Sequence, residues 1–223
     1  MSTKKLLFYL LAVLLGGCVP VSLHPLFTDK DIVFEEKLIG VWVQEPNEPQ
    51  TIWEFRRSDD PPNAYRLIFS DKDNKKGSFV AHLVKLKKQL FLDIYPDKLP
   101  SEPQDPNKQV QWEYNSLFWI PAHTFLKVSS IGLQLKLLPM NYDKLKELLE
   151  KEPKVVKHTI IKDGDVERLI LTAPTKKLQA FVLKYADDKK IFADEIVLCR
   201  RIAETEKSSA SQKPTESSKE QNK

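Results

Sequence analysis

Few residues of this 223-residue chain have the types and spacing that enzymatic chemistry needs. The four histidines are far apart, and none has a second metal-ligating residue at the spacing of common zinc sites. The chain contains no Gly-x-Ser-x-Gly, no His-Glu-x-x-His and no phosphate-binding glycine loop. We therefore expect no catalytic residue, cofactor or metal, although enzymatic activity stays open as a third interpretation.

One histidine and one aspartate meet in a predicted β-hairpin. Segments 78–86 and 90–95 alternate apolar and polar residues on either side of a three-residue break. If the first two residues of the break form the turn, His82 lies opposite Asp93. The pair could take part in acid–base chemistry or form a surface contact, and we favour a surface contact worth roughly a few tenths of a kcal/mol.

A one-residue shift of this register stays open, because the turn lacks Asn-Gly. The predicted core face carries Ala81, Leu83, Leu90, Leu92 and Ile94, and the other face carries Val80, His82, Val84, Phe91, Asp93 and Tyr95.

His123 follows Pro121 at the start of another predicted strand. In that position we expect a hydrogen-bonded structural histidine and not a catalytic residue.

The N-terminus combines two lysines, an apolar run and a cysteine. Lys4 and Lys5 precede the apolar residues 6–15, which are too few to span a bilayer as a helix. Small residues follow, in the order Leu15-Gly16-Gly17-Cys18. This arrangement has the three parts of a secretory signal peptide, with the thiol of Cys18 next to the cleavage point.

The four residues that end in Cys18 resemble the lipobox of bacterial lipoprotein precursors. The resemblance implies that residues 1–17 are removed, that the Cys18 sulfur is lipidated, and that acyl chains such as palmitate hold the chain at a membrane. Val19, in place of Asp, resembles lipoproteins that enteric-type bacteria sort to the outer membrane. Two alternatives stay open, namely an uncleaved signal anchor and ordinary cleavage that leaves a free thiol at Cys18.

Composition predicts one folded domain between this anchor and a polar tail. We expect a signal peptide at 1–17, a lipidated tether at 18–30, a β-rich globular domain at 31–202 and a disordered tail at 203–223. The apolar tether residues are expected to pack against the domain; they are Leu23, Leu26 and Phe27.

Charge and cysteine content exclude two classes of protein. The chain has 35 basic and 31 acidic residues, a net charge of +4, which is not the footprint of a nucleic-acid binder. Cys18 and Cys199 are the only cysteines. If Cys18 is lipidated, Cys199 has no intrachain partner, so this exported protein is built without a disulfide framework.

Short alternating segments outnumber helical patterns and predict a mainly β (α+β) domain. Only two apolar stripes have helical spacing: one follows Asn141 through Glu150, and the other runs from a Thr172 cap to Tyr185. We predict a single antiparallel, barrel-like sheet of about eight to ten strands, with two late helices outside it or at one end. The predicted strands are 39–43, 52–56, 64–69, 78–86, 90–95, 110–114, 117–120, 124–128, 133–138, 155–161, 166–171 and 195–201.

The first of these strands begins with Leu38-Ile39-Gly40-Val41-Trp42, which resembles the Gly-x-Trp opening of lipocalins and of lipocalin-like domains in bacterial lipoproteins. In that family the tryptophan closes one end of a calycin-type barrel, and an arginine near the last strand packs across its ring. The resemblance therefore implies a contact of Trp42 with Arg200 or Arg201. The alternative is a core tryptophan of an ordinary antiparallel sheet. The pattern of the whole chain also resembles bacterial lipoproteins that carry no assigned activity.

Two functions fit these features. In the first, inward residues line an apolar cavity for a lipid or another apolar ligand; they are Trp53, Phe55, Tyr65 and Leu67. In the second, side chains fill the barrel, and the lipoprotein holds or recruits another envelope protein. Location at a membrane favours ligand binding, whereas a packed interior would favour the interaction protein.

Overall fold

The computed structural model describes residues 19–44, 51–73, 75–97, 120–164 and 166–201. Several predicted segments lie outside these residues: the signal peptide 1–17, Cys18, the strand 110–114, most of the strand 117–120 and the whole polar tail 203–223. The described helices are α1 (Tyr142–Lys151) and α2 (Thr175–Tyr185), and short 3-10 turns occupy Asp29–Asp31 and Glu36–Leu38. The strands are β1 (Val21–Ser22), β2 (Ile32–Val33), β3 (Gly40–Val43), β4 (Ile52–Arg57), β5 (Tyr65–Ser70), β6 (Lys76–Leu86), β7 (Gln89–Pro96), β8 (Thr124–Ile131), β9 (Gln134–Pro139), β10 (His158–Asp163), β11 (Val166–Leu171) and β12 (Ile196–Arg200).

Eight antiparallel strands close into a barrel. Their order is β6-β5-β4-β3-β12-β9-β8-β7, and β7 pairs back with β6. Closure leaves no free edge in the ring, because every barrel strand has a neighbour on both sides. The predicted antiparallel barrel with two late helices is confirmed.

The β6–β7 hairpin has the predicted register. Leu83 pairs with Leu92 and His82 pairs with Asp93, so the one-residue shift does not occur. Lys87 makes the turn without glycine by adopting a positive φ of 55°. The predicted core face of this hairpin points into the barrel.

The outer wall of the barrel carries a second core. Val84, Phe91 and Phe125 project outward from β6, β7 and β8 and are buried beneath apolar side chains of α1 and α2. The helices therefore pack on the outside of the barrel and do not plug its end. The helical side chains fully buried there are Leu145, Leu149, Leu178, Phe181 and Val182.

The two helices begin differently. Asn141 caps α1 as predicted, since its side chain accepts a hydrogen bond from the Lys144 N–H at 3.0 Å. The prediction that Thr172 caps α2 is wrong, because Pro174 is the N-cap residue and provides no side-chain hydrogen bond. The Thr172 N–H instead extends the pairing of β11 by donating to the Lys157 carbonyl at 2.9 Å.

A small sheet covers one side of the second core. It has the order β1-β11-β10, with β1 parallel to β11 and β10 antiparallel to it. Residues 19–30 are the described part of the predicted tether 18–30; they contribute β1 to this sheet and then continue onto the barrel. Leu26 is fully buried and Phe27 packs against the same core, as expected, whereas Leu23 is 40% exposed.

Candidate functional site

The side chains predicted to line a ligand pocket lie inside the barrel and pack against one another. None of Trp53, Phe55, Tyr65 and Leu67 is more than 3% exposed. The Trp53 and Phe55 rings are stacked with centroids 6.4 Å apart, and the Phe55 and Tyr65 rings meet edge to face at 6.3 Å. None of the four lines the grooves at α1, between α2 and residues 152–157, or beside His123. The positions expected to hold a ligand are thus occupied by their own neighbours.

Trp53 has one unusual polar atom. Its Nε1 is buried and has no hydrogen-bond partner among the described residues. A buried indole N–H normally finds an acceptor, as Trp42 does by donating to the Leu38 carbonyl at 2.9 Å. Within the part of the chain that the structure describes, the Trp53 indole N–H is therefore an unused donor.

Gly40, Trp42 and Arg200 come together at one end of the barrel. The Arg200 guanidinium carbon lies 4.6 Å from the centroid of the buried Trp42 ring. The same guanidinium donates to the carbonyls of Ile39, at 2.9 Å, and Lys37. Arg200, and not Arg201, makes the contact that the Gly-x-Trp resemblance implied.

Asp93 joins three parts of the chain outside the barrel. Its carboxylate is fully buried and accepts the Leu26 N–H at 2.7 Å through Oδ2. Its Oδ1 lies 2.7 Å from Nδ1 of His123, which is therefore a hydrogen-bonded histidine as expected. The His123 backbone also exchanges two hydrogen bonds of 2.8 Å with Ser22. Asp93 and His123 together clasp residues 22–26 to the barrel, and we call them the clasp.

His82 and Asp93 pair as predicted, but the prediction that they lie on the surface is wrong. The two residues are cross-strand neighbours, but His82 is only 8% exposed and its ring lies on Phe27, with centroids 4.3 Å apart. Burial lowers the pKa of His82; the Asp93 carboxylate opposes this shift, and His123 adds to it. Local alternation could not reveal that the segment containing Phe27 returns to cover this face.

A groove of about 670 Å³ opens beside the clasp. Its lining residues include three arginines, three aspartates and two aromatic residues, namely Arg56, Arg57, Arg66, Asp59, Asp60, Asp97, Phe27 and Tyr95. All three arginines have carboxylate partners: Arg56 pairs with Glu54 at 2.7 Å, Arg66 with Asp97 at 3.6 Å, and Arg57 with Glu36. These exposed pairs contribute little to stability and leave donors that a second molecule can use.

The clasp has a geometry that resembles part of a catalytic apparatus, since a carboxylate orients an imidazole at the wall of a groove. Acid–base catalysis at a nucleophile would also need a hydroxyl or thiol within about 3.2 Å of the imidazole. Within the described residues, no side-chain hydroxyl or thiol hydrogen-bonds to His123. No group of three metal-ligating side chains is found there either. What the described contacts do show is that Asp93 and His123 hold residues 22–26 against the barrel.

Comparison with known proteins leaves the site without a relative. No family model, curated protein or solved structure matches this chain. In the described part of the chain, no helix combines the length and apolar character needed to cross a membrane.

Proposed function

We propose that this protein is a lipid-anchored lipoprotein of the bacterial cell envelope whose filled barrel presents an outer groove to another envelope protein. The observation that carries the proposal is the mutual packing of Trp53, Phe55 and Tyr65 in the barrel interior. Because a closely packed interior has no room for a ligand, a partner would bind to the outside of the barrel.

The sequence at the N-terminus supports the anchor. Leu15-Gly16-Gly17-Cys18 has the lipobox pattern, and the folded domain begins at Val21, only three residues later. Val19 after the cysteine favours the outer membrane in a Gram-negative cell. The acyl chains would hold the barrel directly at the bilayer surface.

The composition of the groove supports a protein partner. Arginine and aromatic side chains are enriched at protein interfaces, and the groove brings Arg56, Arg57 and Arg66 together with Phe27 and Tyr95. Each guanidinium could exchange its exposed carboxylate partner for a carboxylate of the incoming segment.

Photo-crosslinking in the native host tests the groove. A photoreactive residue replaces Asp59, which lines the groove, or Lys72, which is exposed outside it, as the matched control. We expect a discrete protein adduct from position 59 only, weakened by Arg66→Ala. Identical products from both positions would contradict a specific groove partner.

Replacement of the cysteine tests the anchor. Cys18→Ser should yield an uncleaved, unlipidated precursor, because sulfur is the acceptor of the first lipid. Membrane fractionation and intact-mass measurement give the readout. A Ser variant that is still mature in length and acylated would refute the lipoprotein assignment.

A second function is favoured by the unused N–H of Trp53. An apolar ligand with one acceptor atom, such as a lipid carbonyl, could satisfy that donor inside the barrel. Trp53→Phe removes the donor and keeps an aromatic ring. A lipid that co-purifies with the wild-type chain and is lost from this variant would favour ligand binding over the interaction protein.

A further inference from the structure

The small sheet β1-β11-β10 has one face toward the second core and one face outward. Ser22, Leu169 and Leu171 point inward and are buried. The register places Ile161 opposite Arg168, and Val21 beside Ile170, on the outward face. When a sheet buries one face and exposes the other to water, inward apolar residues alternate with outward polar ones. If this outward face were solvated, it would therefore be polar.

Exposed apolar side chains are concentrated at this face. In the part of the chain that the structure describes, five large apolar residues are exposed. Ile161 and Val166 lie on the outward face at 48 and 44% exposure, and Leu23 extends β1 by donating its N–H to the Leu171 carbonyl. Ile120 is three residues before His123, whose backbone pairs with Ser22 on the other side of β1. Leu133 lies next to the β8–β9 turn, outside this sheet.

The same sheet is tied to the N-terminal anchor by chain length. Cys18 is three residues before Val21, so its Cα lies within about 11 Å of a strand of this sheet even in a fully extended chain. The clasp holds the following residues against the barrel, as Asp93 accepts the Leu26 N–H and His123 pairs with Ser22. A bilayer that holds Cys18 must therefore lie next to the sheet.

Charge on the sheet agrees with a lipid surface. Arg168 is exposed on the outward face, and Lys157, immediately before β10, is also exposed. Glu167 points to the opposite side, where it pairs with Lys146 at 2.6 Å and Lys162 at 3.1 Å. The register also places one acidic residue on the outward face, Asp163 opposite Val166. Cationic side chains among aliphatic ones suit the boundary between lipid phosphates and acyl chains.

We propose that the outward face of β1-β11-β10 lies on the bilayer and inserts Leu23, Ile161 and Val166 into its headgroup region. The proposal rests on the proposed function, since it needs the chain to be anchored through its N-terminus. It fixes the orientation of the barrel relative to the membrane, which acyl chains on a flexible tether would leave free.

Depth-dependent quenching tests the proposal on the mature, full-length lipoprotein. The chain carries Cys199→Ser to remove the free thiol, and single Ile161→Cys or Val166→Cys substitutions for an environment-sensitive dye. Leu133→Cys is the matched control, because Leu133 is an aliphatic residue that is 94% exposed away from the sheet. Near-ultraviolet circular dichroism of each labelled chain establishes that it is folded.

The labelled chains are reconstituted in phosphatidylethanolamine and phosphatidylglycerol vesicles. We expect nitroxide lipids to quench dyes at 161 and 166 severalfold more than at 133, and aqueous iodide to do the reverse. Chains that float with vesicles but show equal quenching at 161 and 133 would overturn the orientation and leave the anchor intact. A dye at 161 shielded from both quenchers would overturn it in favour of a protein on this face. Failure of the wild-type chain to float would overturn the anchor and the orientation together.

Discussion

Asp93 shows how one side chain can connect segments that are distant in sequence. It lies on β7, binds the backbone of Leu26 and orients His123 on the segment leading into β8. Hydrogen bonds at both of its carboxyl oxygens offset the cost of its full burial. The residue is therefore central to how the N-terminal segment is held.

Removal of this carboxylate should weaken the fold. Asp93→Ala leaves the Leu26 N–H and the His123 imidazole without their acceptor, and we expect a loss of about 3 kcal/mol in the free energy of unfolding. Urea unfolding followed by tryptophan fluorescence gives the value. Asp73→Ala, at an exposed aspartate, should change it by less than about 0.5 kcal/mol. Equal losses in the two variants would mean that the clasp contributes nothing specific.

His82 should make stability depend on pH. Burial lowers its pKa in the folded chain below the value of about 6.5 expected after unfolding. Between these two values the unfolded chain binds a proton that the folded chain does not. The free energy of unfolding should therefore fall as pH drops below about 6.5, by at most about 1.4 kcal/mol per pH unit.

Comparison of variants isolates this contribution from the neighbouring Asp93 and His123. His82→Phe should flatten the pH dependence of urea unfolding, because it removes the group whose pKa is lowered by burial. A His82→Phe chain with the wild-type slope would show that another group is responsible.

Among the elements, strand β3 begins under a steric constraint. Gly40 has a φ of 135°, and a Cβ at this position would lie 2.7 Å from Nη1 of Arg200. A side chain would both strain the backbone and displace the guanidinium from the Trp42 ring. Glycine is thus needed where Arg200 crosses the strand.

Alanine substitution measures this constraint. Gly40→Ala should lower the free energy of unfolding by about 1 to 3 kcal/mol. Gly132→Ala is the control, because no atom lies within 4 Å of the added Cβ and the residue is exposed. A tolerated Gly40→Ala would show that Arg200 moves aside at little cost.

The elements differ in how well the sequence predicts them. The β6–β7 register follows from two local signals, alternation and a short break, so His82 and Asp93 were correctly paired. The two-residue strands β1 and β2 were missed, because strands this short carry no alternation and depend on the neighbours they meet. Thr172 illustrates the same limit. Its N–H donates to the Lys157 carbonyl, and the helix begins at Thr175.

At the scale of the whole molecule, the barrel interior and the second core lie on opposite sides of the wall formed by β6, β7 and β8. Alternation predicts the barrel because each strand buries one face, but it cannot show that the outward residues Val84, Phe91 and Phe125 are buried under helices. Nor can it show the clasp and the groove, which form where residues 22–27 cross the outside of the barrel. For this reason the inward positions of Trp53 and Phe55 could be predicted, whereas the partnership of Asp93 with His123 could not.

Native mass spectrometry of the chain extracted from its own membranes tests the anchored, filled barrel most directly. We expect a mass that begins at Cys18, carries covalent acyl groups and retains no other lipid after gentle removal of detergent. A retained lipid that disappears in Trp53→Phe would contradict the filled barrel, and a mass that still includes residues 1–17 would contradict the anchor.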